Sequence, residues 1–304
     1  MVPAKKLLET AIISRFSSYV LRLLGTPVDG ASLAVFRISF GGVMAWHIAK
    51  HFWPKENSNL IHALYVDPAW NFPYYGFEWV RPLPEPWMSV LFAAAGIAAL
   101  FVMLGFYYRA SAAALFLSYL YIFLCEKSKY NNHYYLMCLL AFLLIWMPAC
   151  ARFSLAPAED REKTIPFWPV FLLRFQIFVM YFYGGIAKLS ADWLTGKPVW
   201  AKAQKLHTFL SQHLPLPGLV SVEHVSLFIA YGGLFFDLFI GFLLLWKRTR
   251  LFGMLLVLVF HLNNQFMFTI GVFPLMAFMA TLIFFEADWP VRFGQWLRKP
   301  CLKT

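Results

Sequence analysis

A chain of 304 residues that is 61% apolar and 13% charged, with 33 Phe, 14 Tyr and 12 Trp, is too apolar for a soluble domain and too aromatic for a disordered or collagen-like one. Its net charge of +11 would direct a soluble protein toward nucleic acid; in a bilayer protein it is the ordinary Lys and Arg surplus of cytoplasmic loops, so no nucleic-acid partner is expected. Cys125, Cys138, Cys150 and Cys301 have neither disulfide-framework nor zinc spacing, and no metal is expected.

Residues 1–25 interleave Lys5, Lys6, Glu9, Arg15 and Arg22 with apolar side chains, which predicts an amphipathic segment lying on the membrane rather than a cleaved signal. Beyond it, apolar stretches near 31–50, 86–107, 109–125, 134–150, 167–188, 226–246, 251–268 and 270–286 predict an all-α polytopic transmembrane bundle. About eight spans follow from the roughly 20 apolar residues that one crossing needs. The membrane domain covers 26–290, and 291–304 form a basic tail. With Arg37, Lys50, Arg174 and Lys188 left to the spans, one side receives 15 Lys and Arg and the other seven, so the N-terminus is expected in the cytoplasm. The two long connections, about 51–85 and 189–225, then face outward. In the first, YVDPAWNFPYYGFEWVRPLPEPW at 65–87 carries five prolines among its aromatics, so it cannot be a regular helix and should cap the bundle at the interface. Simple interfacial anchoring explains that composition equally well. No GxGxxG, Walker loop, HExxH or GxSxG context is present.

An ionisable side chain inside a span is costly unless it is paired, faces a cavity or has a function. Six qualify: Arg37, His133, Arg174, Lys188, Asp237 and His261. With the N-terminus inside, Lys188 ends the fifth span and His133 begins the fourth on the outer side. His261 lies about 15 Å above the inner end of the seventh at 1.5 Å per residue. Tyr181, Gly184, Gly185 and Lys188 share one helical stripe, whose glycines would leave a groove for a flat ligand. His261, Asn264 and Gln265 share another face, and Asn131 and Asn132 precede His133. Each has a plainer explanation: Lys188 reaching the headgroups with Asp192 as its i+4 partner, His133 as an interfacial residue, His261 in a structural hydrogen bond, Tyr181 in packing. Arg37 and Asp237 read as a mutual ion pair, and Arg174 as reaching headgroups or a carbonyl.

Four blocks carry a family resemblance: LAVFRISFG at 33–41, NNHYYL at 131–136, RFQIFVMYFYGGIAKLSADW at 174–193 and FHLNNQFMFTIG at 260–271. Through them the sequence resembles the membrane (HTTM) domain of vitamin K-dependent gamma-glutamyl carboxylases. The resemblance implies that Lys188 is the base that deprotonates vitamin K hydroquinone and that His133 supports the oxyanion. It places Asn132, Tyr181, His261 and Asn264 around the quinone head. It also implies reduced vitamin K or menaquinol as co-substrate, with O2 giving the 2,3-epoxide. The alkoxide so generated removes a γ-proton from a Glu-containing peptide, which captures CO2. A lysine in that role must shed its charge, which burial favours. The sequence stops after the membrane domain, without the lumenal region of the animal enzymes, so epoxidation is the better-supported half and carboxylation is conditional. The expected setting is a bacterial inner membrane, with lipid around the bundle, the site toward the periplasmic leaflet and a separate quinone reductase as partner. Two other classes fit the same residues: a quinone- or small-molecule-binding protein without turnover, and an immunity-type protein whose lysine and histidines anchor helices.

Overall fold

The computed structural model describes residues 15, 17–55, 58–213, 220–268 and 271–298, and they are mostly helical. Helix α1 (17–25) is exposed along most of its length; 1–14 and 16 of the expected 1–25 segment, and 299–304 of the basic tail, lie outside the described residues. Among the described residues, five helices are long and apolar enough to cross a membrane: α2 (Ala31–Ala49, prolonged by a 3-10 turn to Phe52), α3 (Trp87–Leu104), α6 (Trp168–Ala187), α9 (Val222–Leu245) and α10 (Arg250–Phe268). The stretches expected near 109–125 and 134–150 form shorter apolar helices, α4 (Tyr108–Leu124) and α5 (Asn132–Trp146). The last becomes α11 (Phe273–Thr281) and a 3-10 turn, and α12 (Trp289–Arg298) follows in sequence. Proline explains why α5 is short: Met147 precedes Pro148 and is extended, as the pyrrolidine ring requires of its neighbour. Helices α7 (Ala191–Leu194) and α8 (Trp200–His213) fill the second long connection.

The described residues divide into two compact units, 1–171 with 285–304, and 172–284. In the first, α2, α3, α4 and α5 pack in sequence order. The seam between α2 and α3 is tight because Gly41 has no side chain: a Cβ there would lie 2.6 Å from the backbone nitrogen of Met103. Strands β1 (Pro27–Asp29) and β4 (Thr164–Pro166) pair antiparallel with Val28 opposite Ile165, and β2 (Pro54–Lys55) pairs with β3 (Ser58–Asn59). The proline-rich segment is irregular, as expected, and is pinned to the α4–α5 turn. The Glu126 carboxylate accepts from the backbone nitrogens of Phe72 and Ser128, and Lys127 N donates to Phe72 O at 2.7 Å. The Tyr121 hydroxyl donates to Arg81 O at 2.8 Å. Within this segment the Tyr74 oxygen is buried, and loss of solvent pushes its phenol up to about 12, so it stays neutral.

The expected Arg37–Asp237 ion pair does not form. Arg37, wholly buried in α2, donates to the carbonyl oxygens of Phe153 and Arg152, while Asp237 has a different cation. Both bonds come from one terminal nitrogen, Nε and the other terminal nitrogen have no hydrogen-bond partner among the described residues, and Phe153 presents its oxygen from the left-handed region at φ 49°. Arg37→Met is expected to lower the melting temperature, through a loss of about 1–3 kcal/mol when the carbonyls lose their donor. An unchanged melting curve in detergent would contradict this.

In the second unit, Arg250 and Thr249 bond the last carbonyls of α9, Arg250 Nε to Leu244 O at 3.0 Å and Thr249 Oγ1 to Leu243 O at 2.8 Å, closing the α9–α10 hairpin. Ser221 and His224 form a reciprocal cap at the start of α9. Ser226 Oγ donates to Gly196 O at 2.7 Å and Trp193 Nε1 to Ala230 O at 2.9 Å, which ties α7 to α9. Arg174 Nε donates to Ile283 O at 2.9 Å, one of the two fates expected for it. Along α9 and α10, Phe228, Phe235, Phe239, Leu251, Leu255 and Phe266 are exposed, as side chains facing hydrocarbon would be.

Candidate functional site

In the second unit, α6 runs helically to Ala187, and Lys188 follows in a tightened last turn, its backbone nitrogen bonded to Gly185 O at 3.0 Å. The side chain turns back along the helix. Its Nζ pairs with Asp237 Oδ2 of α9, donates to Gly184 O at 3.3 Å, and lies 5.1 Å from the centre of the Trp193 ring. The lysine side chain is 20% exposed and that of Asp237 is 9% exposed, so the pair is held largely away from water. Asp192, the partner that sequence spacing offered, instead faces Lys197 at 3.6 Å.

Gly184 and Gly185 do not leave the open groove expected of them. A Cβ on Gly185 would lie 2.7 Å from the Leu238 side chain and 2.9 Å from its backbone nitrogen, so the close approach of α9 fills that space. A Cβ on Gly184 would lie 3.3 Å from Asp237 Oδ2, so this glycine gives the carboxylate room to reach the lysine. Gly185→Ala must push α9 away, because the backbone it meets cannot rotate aside. The expected cost is about 1–3 kcal/mol with weakened lysine pairing. Thermal unfolding checks this, and a stabilised variant would contradict it.

One turn below on the same stripe, buried Tyr181 places its hydroxyl 2.7 Å from His261 Nε2 of α10. His261 is also buried, and its Nδ1 has no hydrogen-bond partner among the described residues. With the phenol donating to Nε2, Nδ1 carries the hydrogen and can donate to a ligand oxygen. Asn264 shares the buried face with His261, but Gln265 is exposed. Phe236 and Phe260 stack at 3.8 Å between ring centres, and Phe236 meets Tyr181 edge to face.

In the first unit, His133 is buried in the first turn of α5, whereas Asn132 is exposed. Its ring lies 4.5 Å from that of Tyr134, which in turn lies 5.1 Å from His47. His47 Nε2 is 3.1 Å from the Tyr119 hydroxyl, and His51 Nδ1 donates to His47 O at 3.0 Å. His47, His51, Tyr119, Tyr134, Glu126 and Lys129 help line a partly enclosed cavity of about 30 Å³. That is room for one or two waters. The sequence reading missed this cluster, although His47 and His51 stand at i and i+4 at the end of a span, a spacing that puts them on one face.

The model of one protein family, described as the HTTM domain, matches residues 26–289. No solved structure matches the chain.

Proposed function

Because the chain belongs to the HTTM domain family, the domain of vitamin K-dependent carboxylase-related proteins, we propose that it is a membrane enzyme oxidising a vitamin K-type hydroquinone with O2 to the 2,3-epoxide. The observation that carries this reading is the Lys188–Asp237 pair, held largely away from water two helical turns along α6 from the Tyr181–His261 hydrogen bond. A general base must be able to take a proton from a phenolic hydroxyl in a place that water does not reach, and this seam provides a nitrogen and a carboxylate for it. The unpartnered His261 Nδ1 suits a ring oxygen of the quinol, with Asn264 beside it. Lys188 is assigned the base and His133 the support of the oxyanion, each role testable by its own substitution. Asn132, on an exposed position, is given a lesser part in quinol binding.

The substrates in this reading are reduced vitamin K or menaquinol and O2, with CO2 and a Glu-containing peptide added where epoxidation is coupled to carboxylation. The setting is a bacterial inner membrane with about eight crossings, the N-terminus in the cytoplasm and the site near the outer leaflet. A quinone reductase would regenerate the quinol. One observation favours a non-catalytic protein instead: an ion pair at Lys188 can hold two helices together without turnover. Purified protein in lipid nanodiscs, given reduced vitamin K and air, separates the two. Epoxide that accumulates with time supports the enzyme. Saturable quinol binding without epoxide leaves a binding protein, and labelled bicarbonate with a Glu-rich peptide then reads out carboxylation.

A further inference from the structure

The Lys188 amine faces a carboxylate, and this bears on where the proton of a substrate hydroxyl would go. Asp237 lies in the middle of α9, its side chain 9% exposed, with Oδ2 on Lys188 Nζ. Gly184 leaves it room to do so, since a Cβ there would lie 3.3 Å from the same oxygen. Trp193 stands 5.1 Å from the nitrogen, and Gly184 O accepts a second lysine hydrogen at 3.3 Å. A buried carboxylate is costly as an anion, so protonation relieves it once a proton is supplied.

Resting on the reading of Lys188 as base, we propose that Asp237 is the final proton acceptor and that Lys188 relays to it. Lys188 hands one N–H proton to Oδ2 of Asp237. The lone pair so freed takes the hydrogen of the substrate hydroxyl, whose O–H bond breaks with its electron pair left on oxygen. The step begins with ammonium, carboxylate and neutral substrate and ends with ammonium, carboxylic acid and oxyanion, so protons and charge balance. The ammonium is restored beside the new anion, where its attraction favours the product of the transfer. Among the described residues, Tyr181 on α6 lies close enough to interact with the Asp237 charge, and it is hydrogen-bonded in turn to His261 on α10. Asp192 of α7 is engaged by Lys197.

The two accounts of the base respond oppositely to Asp237→Asn. A lysine acting alone becomes easier to neutralise once the carboxylate's charge is gone, so its rate would persist and the rising limb of the pH profile would move to lower pH. A relay has lost its acceptor, and epoxide formation should fall by about 100-fold or more at every pH from about 6 to 9. Asp237→Glu, which keeps a carboxylate, should recover much of the rate. The double variant Lys188→Ala, Asp237→Asn should be no slower than Lys188→Ala alone, since the two act as one unit. Should Asp237→Asn fail to fold, wild-type protein decides. The infrared difference spectrum on adding reduced vitamin K without oxygen should show a new carboxylic acid C=O band that shifts in D2O. Absence of that band, or an asparagine variant active with its limb moved to lower pH, overturns the relay while leaving Lys188 as base. Full epoxide formation by Lys188→Ala overturns the underlying reading instead.

Discussion

Lys188→Ala is expected to reduce epoxide formation by about a thousandfold or more, the upper part of the range for loss of a positioned general base. Alanine removes the nitrogen, and it also strands the Asp237 carboxylate in an apolar seam, a change that can cost about 3–5 kcal/mol of stability. A loss of activity in that variant alone therefore mixes chemistry with folding. Lys188→Arg separates them. The guanidinium can keep the ion pair with Asp237 and the contact with Trp193, but it does not give up its proton near neutral pH. The arginine variant should melt near the wild-type temperature, bind reduced vitamin K and make almost no epoxide. An arginine variant that turns over at the wild-type rate would show that position 188 supplies charge and not a base.

His133→Ala is expected to lower the rate by about 100-fold with quinol binding changed less than tenfold, the signature of a donor that acts mainly on developing negative charge. His133 is buried at the start of α5, against Tyr134 and near the His47–Tyr119 hydrogen bond, so its orientation is set by packing. His133→Gln keeps a hydrogen-bond donor of similar reach and should recover part of the rate. Equal rates for wild type and His133→Ala would assign the histidine to packing alone. Single-turnover epoxide formation at saturating quinol distinguishes these outcomes from a simple loss of affinity.

Much of the fold was legible because periodic apolar runs need no long-range information. The stripe of Tyr181, Gly184, Gly185 and Lys188 is a local consequence of 3.6 residues per turn, and the irregular 67–86 segment follows from its prolines. What could not be read was which helix faces the stripe. Lys188 and Asp237 are 49 residues apart, and nothing in either neighbourhood names the other. Counting charges gives Asp237 to Arg37, because a buried charge of either sign needs a counterion. Arg37 instead donates from one terminal nitrogen to main-chain oxygens of a loop, an arrangement that leaves no mark in the sequence. The glycines carried the same ambiguity, since an absent side chain serves a ligand or a neighbouring helix equally well, and Leu238 takes the place at Gly185. His47 and His51 were legible by spacing alone, but Tyr119 and Tyr134 come from helices whose facing is fixed only by packing.

The central claim, that the Lys188 seam takes a proton from a naphthohydroquinone, is tested most directly without oxygen, where no epoxide can form. Reduced vitamin K is added to wild-type protein and to Lys188→Arg in nanodiscs, and the ultraviolet spectrum of the bound quinol is recorded. The account predicts the red-shifted absorbance of the quinol anion with wild type and the neutral spectrum with the arginine variant. Neutral quinol on both, or anion on both, would contradict it.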